Sequence, residues 1–156
     1  IKRSISIDMT SVKFCSPEMI ERFSKISLIQ NYLKDRQTTI QEHNTNTNAD
    51  KDTLINGRHM TNLGTFRAYI KAYLNNHSEI SKSLTFLVRQ LPPSESGIPI
   101  QIYVFSTDTA WVNYEGIQSD IFDHLLAVVP EFDLKVFQSP TGNDIQIGLA
   151  GKGQDN

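Results

Sequence analysis

The stretch "GIPIQIYVFSTDTAWVNYEGIQSDIFDHLLAVVPEFDLKVFQSP", residues 97–140, decides the reading of this chain. It opens with Ile98, Ile100, Ile102 and Val104 alternating with other residues, the period-two pattern of a strand with one buried face. The period then changes. Tyr114, Ile117, Ile121, Leu125 and Val128 recur at helical spacing after a candidate cap at Asp108 or Thr109, predicting a helix from 110 to about 129. Gly116 is an internal weak point worth about 1 kcal/mol, and Pro130 helps to end the helix. Leu134–Gln138 then reads as the last core strand.

Working outward, "SLTFLVRQL" at 83–91 is a strand, and the loop "PPSESGIP" joins it to the strand from Ile98 as an antiparallel hairpin, with Gly97 suited to positive φ. Residues 1–14 alternate, with Ile1, Arg3, Ile5, Ile7 and Met9 on one face, and predict another strand. Ser16, Pro17 and Glu18 form a helix start, with Ile20, Phe23, Ile26, Ile29 or Tyr32, and Leu33 carrying the pattern to about Lys34 and a more polar extension toward His43. The Asn-rich residues 44–52 read as a loop and Thr53–Met60 as a short extended piece. Thr61 or Asn62 then caps a helix with Leu63, Phe66, Tyr69, Ile70, Tyr73 and Leu74 on one stripe. The tail holds one more alternating run, Asp144–Leu149, before a Gly-rich end.

This order predicts an α+β fold of the ferredoxin-like, split βαβ kind: a four-stranded antiparallel sheet with helices on one face and an inserted extra helix. The α/β domain spans 1–141, with the insertion at about 44–80, and residues 142–156 form a tail with room for one short strand.

Composition narrows the function. The chain has 156 residues, 38% hydrophobic and 21% charged, with a net charge of −2 and an isoelectric point near 6.1. That balance argues against a dedicated nucleic-acid binder, although Arg58, Arg67 and Lys71 lie near Tyr69 and Tyr73. No run approaches the roughly 18 apolar residues of a membrane span, and no leader pattern is visible. The chain begins in mid-strand, as an excised domain does.

Catalytic signals are weak. His43, His59, His77 and His124 show no paired metal spacing, and Cys15 has no cysteine partner. Cys15 stands before a helix cap, where a thiol is sometimes activated, but no base motif accompanies it. Asp108, Glu115, Asp120 and Asp123 read as a solvated acidic face, and His124 as a packing or surface residue. The glycines around residue 60 match no phosphate-loop pattern. The expectation is a non-enzyme with no cofactor and no metal. Phe66, Ile70, Tyr73, Leu74, Trp111 and Tyr114 are its candidate packing or subunit-interface residues.

Three blocks carry a resemblance: "NGRHMTNLGTFRAYIKAYLNNH" at 56–77, "LVRQL" at 87–91, and the opening stretch at 97–140. Together they resemble the C-terminal cytoplasmic part of the miniconductance mechanosensitive channels, a branch of the MscS-like family of bacterial inner-membrane channels. "IKRSISIDMTSVKF" resembles the strand by which the chain leaves that family's middle β domain. The resemblance covers nearly all of residues 1–140. It implies a ferredoxin-like cytoplasmic domain in which residues 44–80 are an insertion of this branch, and a tail run that joins its symmetry mates. It also implies a homo-oligomeric ring, heptameric in the family, whose vestibule passes ions and small solutes on osmotic downshock. The membrane would be reached through N-terminal segments outside this chain. The alternative expectation is a free-standing ferredoxin-like regulatory module that binds a small ligand.

Overall fold

The structure is a computed structural model that describes residues 1–50 and 52–154. Three strands form one antiparallel sheet: β1 (Lys2–Ile7), β2 (Leu87–Gln90) and β3 (Ile98–Tyr103), in the order β1-β3-β2. Ile5 pairs with Ile100 and Ile7 with Ile98, so one face carries a continuous isoleucine layer with Ile102, all buried. The opposite face carries Ser4, Ser6 and Gln101, as the alternation requires. Both outer strands are shorter than their sequence patterns predict. β1 stops at Ile7 because Asp8 accepts from Thr10 N and starts a 3-10 turn at Met9–Ser11.

Pro99 sits in the central strand, where a missing N–H usually weakens the ladder. Its opposite residue, Ser6, turns its carbonyl outward to Phe137 N (2.9 Å), so β1 asks nothing of Pro99 there. On the other side Pro99 accepts from Leu91 N, just past the end of β2.

The expected fourth strand is absent, which overturns the four-stranded, ferredoxin-like sheet. Residues 134–138 pass antiparallel to β1 but make one isolated bridge, Ile7 to Val136, with Asp8 N donating to Lys135 O and Phe137 N to Ser6 O. The segment is too short to continue. Asp133 takes a left-handed conformation (φ 55°) on one side, and on the other Pro140 precedes a new helix. Gly97, at φ 89°, makes this close approach possible: a Cβ there would stand 2.5 Å from Ile7 O and 3.1 Å from Phe137 Cβ.

Among the described residues five α-helices accompany the sheet: α1 (Pro17–Ser24), α2 (Gln30–Asn46), α3 (Asn62–Asn75), α4 (Trp111–Val128) and α5 (Gly142–Gln154). The single helix expected from Pro17 is therefore two. Ser16 caps α1 through Met19 N, but the backbone is extended at Ile26 and a 3-10 turn at Ser27–Ile29 leads into α2. The break changes the phase. On one continuous helix, at about 100° per residue, Ile29 and Leu33 would lie roughly 120° and 80° away from Phe23. Breaking the helix lets all three be buried together. α2 runs to Asn46, so the first residues of the expected 44–52 loop are helical. The expected extended piece at Thr53–Met60 instead opens with a turn at 54–57, where Asn56 N is bonded to Thr53 O, and 58–60 follow as irregular chain.

The tail run Asp144–Leu149 is helical, not a strand. Thr141 and Asp144 cap one another: Asp144 N donates to Thr141 Oγ1 (3.1 Å) and Thr141 N to Asp144 Oδ2 (3.0 Å). That local pair outweighs the alternation of Ile145, Ile147 and Leu149, which are all exposed.

The core lies between the isoleucine face and the helices. Phe132, fully buried after α4, touches Phe23 of α1 (centroids 5.0 Å), Phe66 (5.5 Å) and Tyr69 (5.6 Å) of α3. Asn62 is buried within this apolar setting. Its Oδ1 accepts from Lys13 N (3.0 Å), while Nδ2 donates to Ser11 O (3.0 Å) and Asp133 O (3.4 Å). Replacing Asn62 with Ala leaves these backbone groups unpaired and is expected to cost about 3 kcal/mol in urea unfolding. Conversely, a Cβ at Gly116 meets nothing within 4 Å. Gly116→Ala is expected to raise stability by about 1 kcal/mol in the same assay.

Candidate functional site

α3 is started by Thr61, whose hydroxyl accepts from Gly64 N at 3.1 Å. Phe66, Ile70 and Leu74 are fully buried in the core of this same chain, and Tyr73 is half-buried at its border. Tyr73 stacks on His124 of α4 (centroids 4.3 Å, planes 14° apart), and the Tyr69 hydroxyl and His124 Nε2 share a hydrogen bond of 2.7 Å. His77 closes the row edge-on to Tyr73. This aromatic clasp joins α3 to α4. Burial pushes the Tyr69 hydroxyl above its ordinary pKa, with the neighbouring Tyr73 adding to the shift. Burial does the same for Tyr73, helped by the Asp120 carboxylate.

The other two candidates lie elsewhere. Tyr114 is half-buried against the core, whereas Trp111 is 73% exposed and Val112 75% exposed at the start of α4. The six residues thus do not form one site. Four line the α3 side of the core, and Trp111 faces solvent.

The acidic residues also separate. Asp108 is occupied by capping, accepting from Ala110 N (2.9 Å) and Asn113 Nδ2 (2.8 Å). Glu115, Asp120 and Asp123 are exposed on α4. Among the described residues, no group of three His, Cys, Asp or Glu side chains is placed to hold a metal ion. Arg58, Arg67 and Lys71 are exposed, while Tyr69 is buried and Tyr73 is occupied by His124, so the basic and aromatic residues of this region do not make a common stacking surface.

A groove of about 580 Å³ lies between α2 and the turn before α3, lined among others by Cys15, Ile40, Asn44, His59 and Met60. Burial pushes the Cys15 thiol up from its ordinary pKa, outweighing the opposite influence of the Thr65 hydroxyl near it. A thiol so placed is a poor nucleophile. The groove's wall is held by Asn44, which mimics a strand partner: its Nδ2 donates to Arg58 O (2.7 Å) and its Oδ1 accepts from Arg58 N (2.6 Å). Sequence reading missed this pair and Asn62 alike, because both connect residues distant in the chain. No family model matches this chain.

The clasp makes a pH prediction. A tyrosine whose folded pKa is raised adds stability that is fully present below its unfolded value, 10.0 for Tyr69, and is lost as pH rises through the folded value. The unfolding midpoint is therefore expected to fall above about pH 10. Tyr69→Phe is expected to flatten that fall and to cost about 1 kcal/mol at neutral pH, read by chemical denaturation across the pH range.

Proposed function

We propose that this chain is the cytoplasmic vestibule domain of a tension-gated, MscS-like mechanosensitive ion channel that relieves osmotic downshock at the bacterial inner membrane. The observation that carries the reading is the pair of long sequence blocks at 56–77 and 98–140, which resemble the miniconductance branch of that family in content and in order. Two physical features support it. α3, the helix of the inserted block, is seated on the core through Phe66, Ile70 and Leu74, as wall material needs to be. Trp111, Val112, Ile145, Ile147 and Leu149 are large apolar side chains exposed on one chain, a pattern suited to coverage in a homo-oligomeric ring. No helix among the described residues is long and apolar enough to cross a membrane, so in this reading the pore belongs to segments outside this chain.

A second reading, a regulatory module that binds a small ligand, is favoured by the groove beside Cys15, Asn44 and His59. One experiment separates the two. The coding sequence before Ile1 is read for apolar runs of about 20 residues, and the encoded protein is expressed in cells lacking tension-gated channels. Several spans, with stretch-activated current in patches and restored survival of downshock, are the expected result. A product without spans and without current sinks the channel reading and leaves the ligand module.

A further inference from the structure

We propose that Asn56 is a self-modifying site, at which the Gly57 amide attacks the Asn56 side chain with assistance from His59. Asn56–Gly57 is the only Asn-Gly pair in the sequence, and asparagine is a thermolabile residue. Gly57 has no Cβ to obstruct the approach of its nitrogen to Asn56 Cγ. Both residues are exposed, and Gly57 is in the left-handed region at φ 76°. Among the described residues no hydrogen bond holds the Gly57 N–H, whereas Asn56 N is anchored on Thr53 O at 3.0 Å.

His59 supplies what the sequence pair alone does not. Its Nε2 lies 3.2 Å from Asn56 O. A carbonyl oxygen only accepts, so the imidazole donates in this bond. Asn56 O belongs to the peptide group whose nitrogen is Gly57's. When the Gly57 N–H loses its proton to solvent hydroxide, the negative charge is shared with that oxygen, where the His59 donor already points. The ring is held half-buried, edge-on to Phe14 (centroids 6.0 Å), which keeps the donor in place.

The step balances without an outside oxidant or reductant. The Gly57 N–Asn56 Cγ bond forms, the Cγ–Nδ2 bond breaks and ammonia leaves. Water then opens the cyclic imide at either carbonyl, giving aspartate or isoaspartate. The product carries one more negative charge. The isoaspartyl form also adds an atom to the main chain at residue 56, two residues before Arg58, and so shifts Arg58 against the carboxamide of Asn44 that holds the groove wall.

The test is peptide mapping by mass spectrometry of the full chain ageing in neutral buffer, native and in urea, following amide loss at every asparagine. Conversion at Asn56 is expected to lead that at Asn75, Asn76 and Asn143, and to run faster in the native chain than in urea. His59→Ala is expected to slow it by about fivefold in the native chain alone, the effect of one lost hydrogen bond. His59→Gln, which keeps a donor, is expected to restore most of the rate, separating donation from a loosened turn. A native chain no faster than the unfolded one, an H59A variant as fast as the parent, or an H59Q variant as slow as H59A overturns the proposal.

Discussion

The carboxamide of Asn62 is the interaction on which the arrangement depends. It sits fully buried where three segments meet: the turn after β1, the start of α3 and the left-handed Asp133 after α4. The turn after β1 and Asp133 after α4 have each left a regular element, and they present Lys13 N, Ser11 O and Asp133 O to this side chain. From the start of α3, one side chain with an acceptor and two donors serves both. With it in place, Thr61 starts α3, Phe132 is brought against Phe23 and Phe66, and β1 is fixed relative to the helices that cover it. Arg22 and Lys13 add ion pairs to Asp133 at the same junction (2.9 and 3.8 Å), but these are partly exposed and contribute little by comparison.

Around that junction the chain gives up regular structure to gain burial. The break between α1 and α2 sacrifices helical hydrogen bonds so that Phe23, Ile29 and Leu33 share one core. The sheet stops at three strands because Asp133 and Pro140 leave the chain beside β1 only long enough for one bridge. Gly97 permits the contact between that passing segment and β1.

The outside of the molecule follows from the same economy. Residues that the core cannot use are capped, clasped or left at the surface: Asp108 on the start of α4, Tyr73 against His124, and Trp111 and Val112 in solvent. The proposed vestibule wall would ask of such a surface shape, rigidity and self-association, with no reacting group. The turn at Asn56–His59 stands apart, because it joins a reactive pair of residues to a donor aimed at the atom that becomes charged.

Much was legible in the residues alone. Ser16–Pro17, Thr61 and the stripe from Leu63 to Leu74 are local signals, and α1 and α3 start where those signals stand. The alternation of Ile98, Ile100 and Ile102 likewise marks β3 and its buried face. Where local signals competed, the period-two reading of Asp144–Leu149 lost to the Thr141–Asp144 cap, a pattern also written in the sequence but overlooked. The remaining features were decided by tertiary structure. The re-phasing at Ile26, the reduction of residues 134–138 to one bridge, the Asn44–Arg58 and Asn62 links and the placing of His59 on Asn56 O depend on which surfaces meet or on how a turn closes. Periodicity and capping act over a few residues and so can be read along the chain. Burial and the pairing of polar groups across sequence gaps are settled only when the chain has folded back on itself.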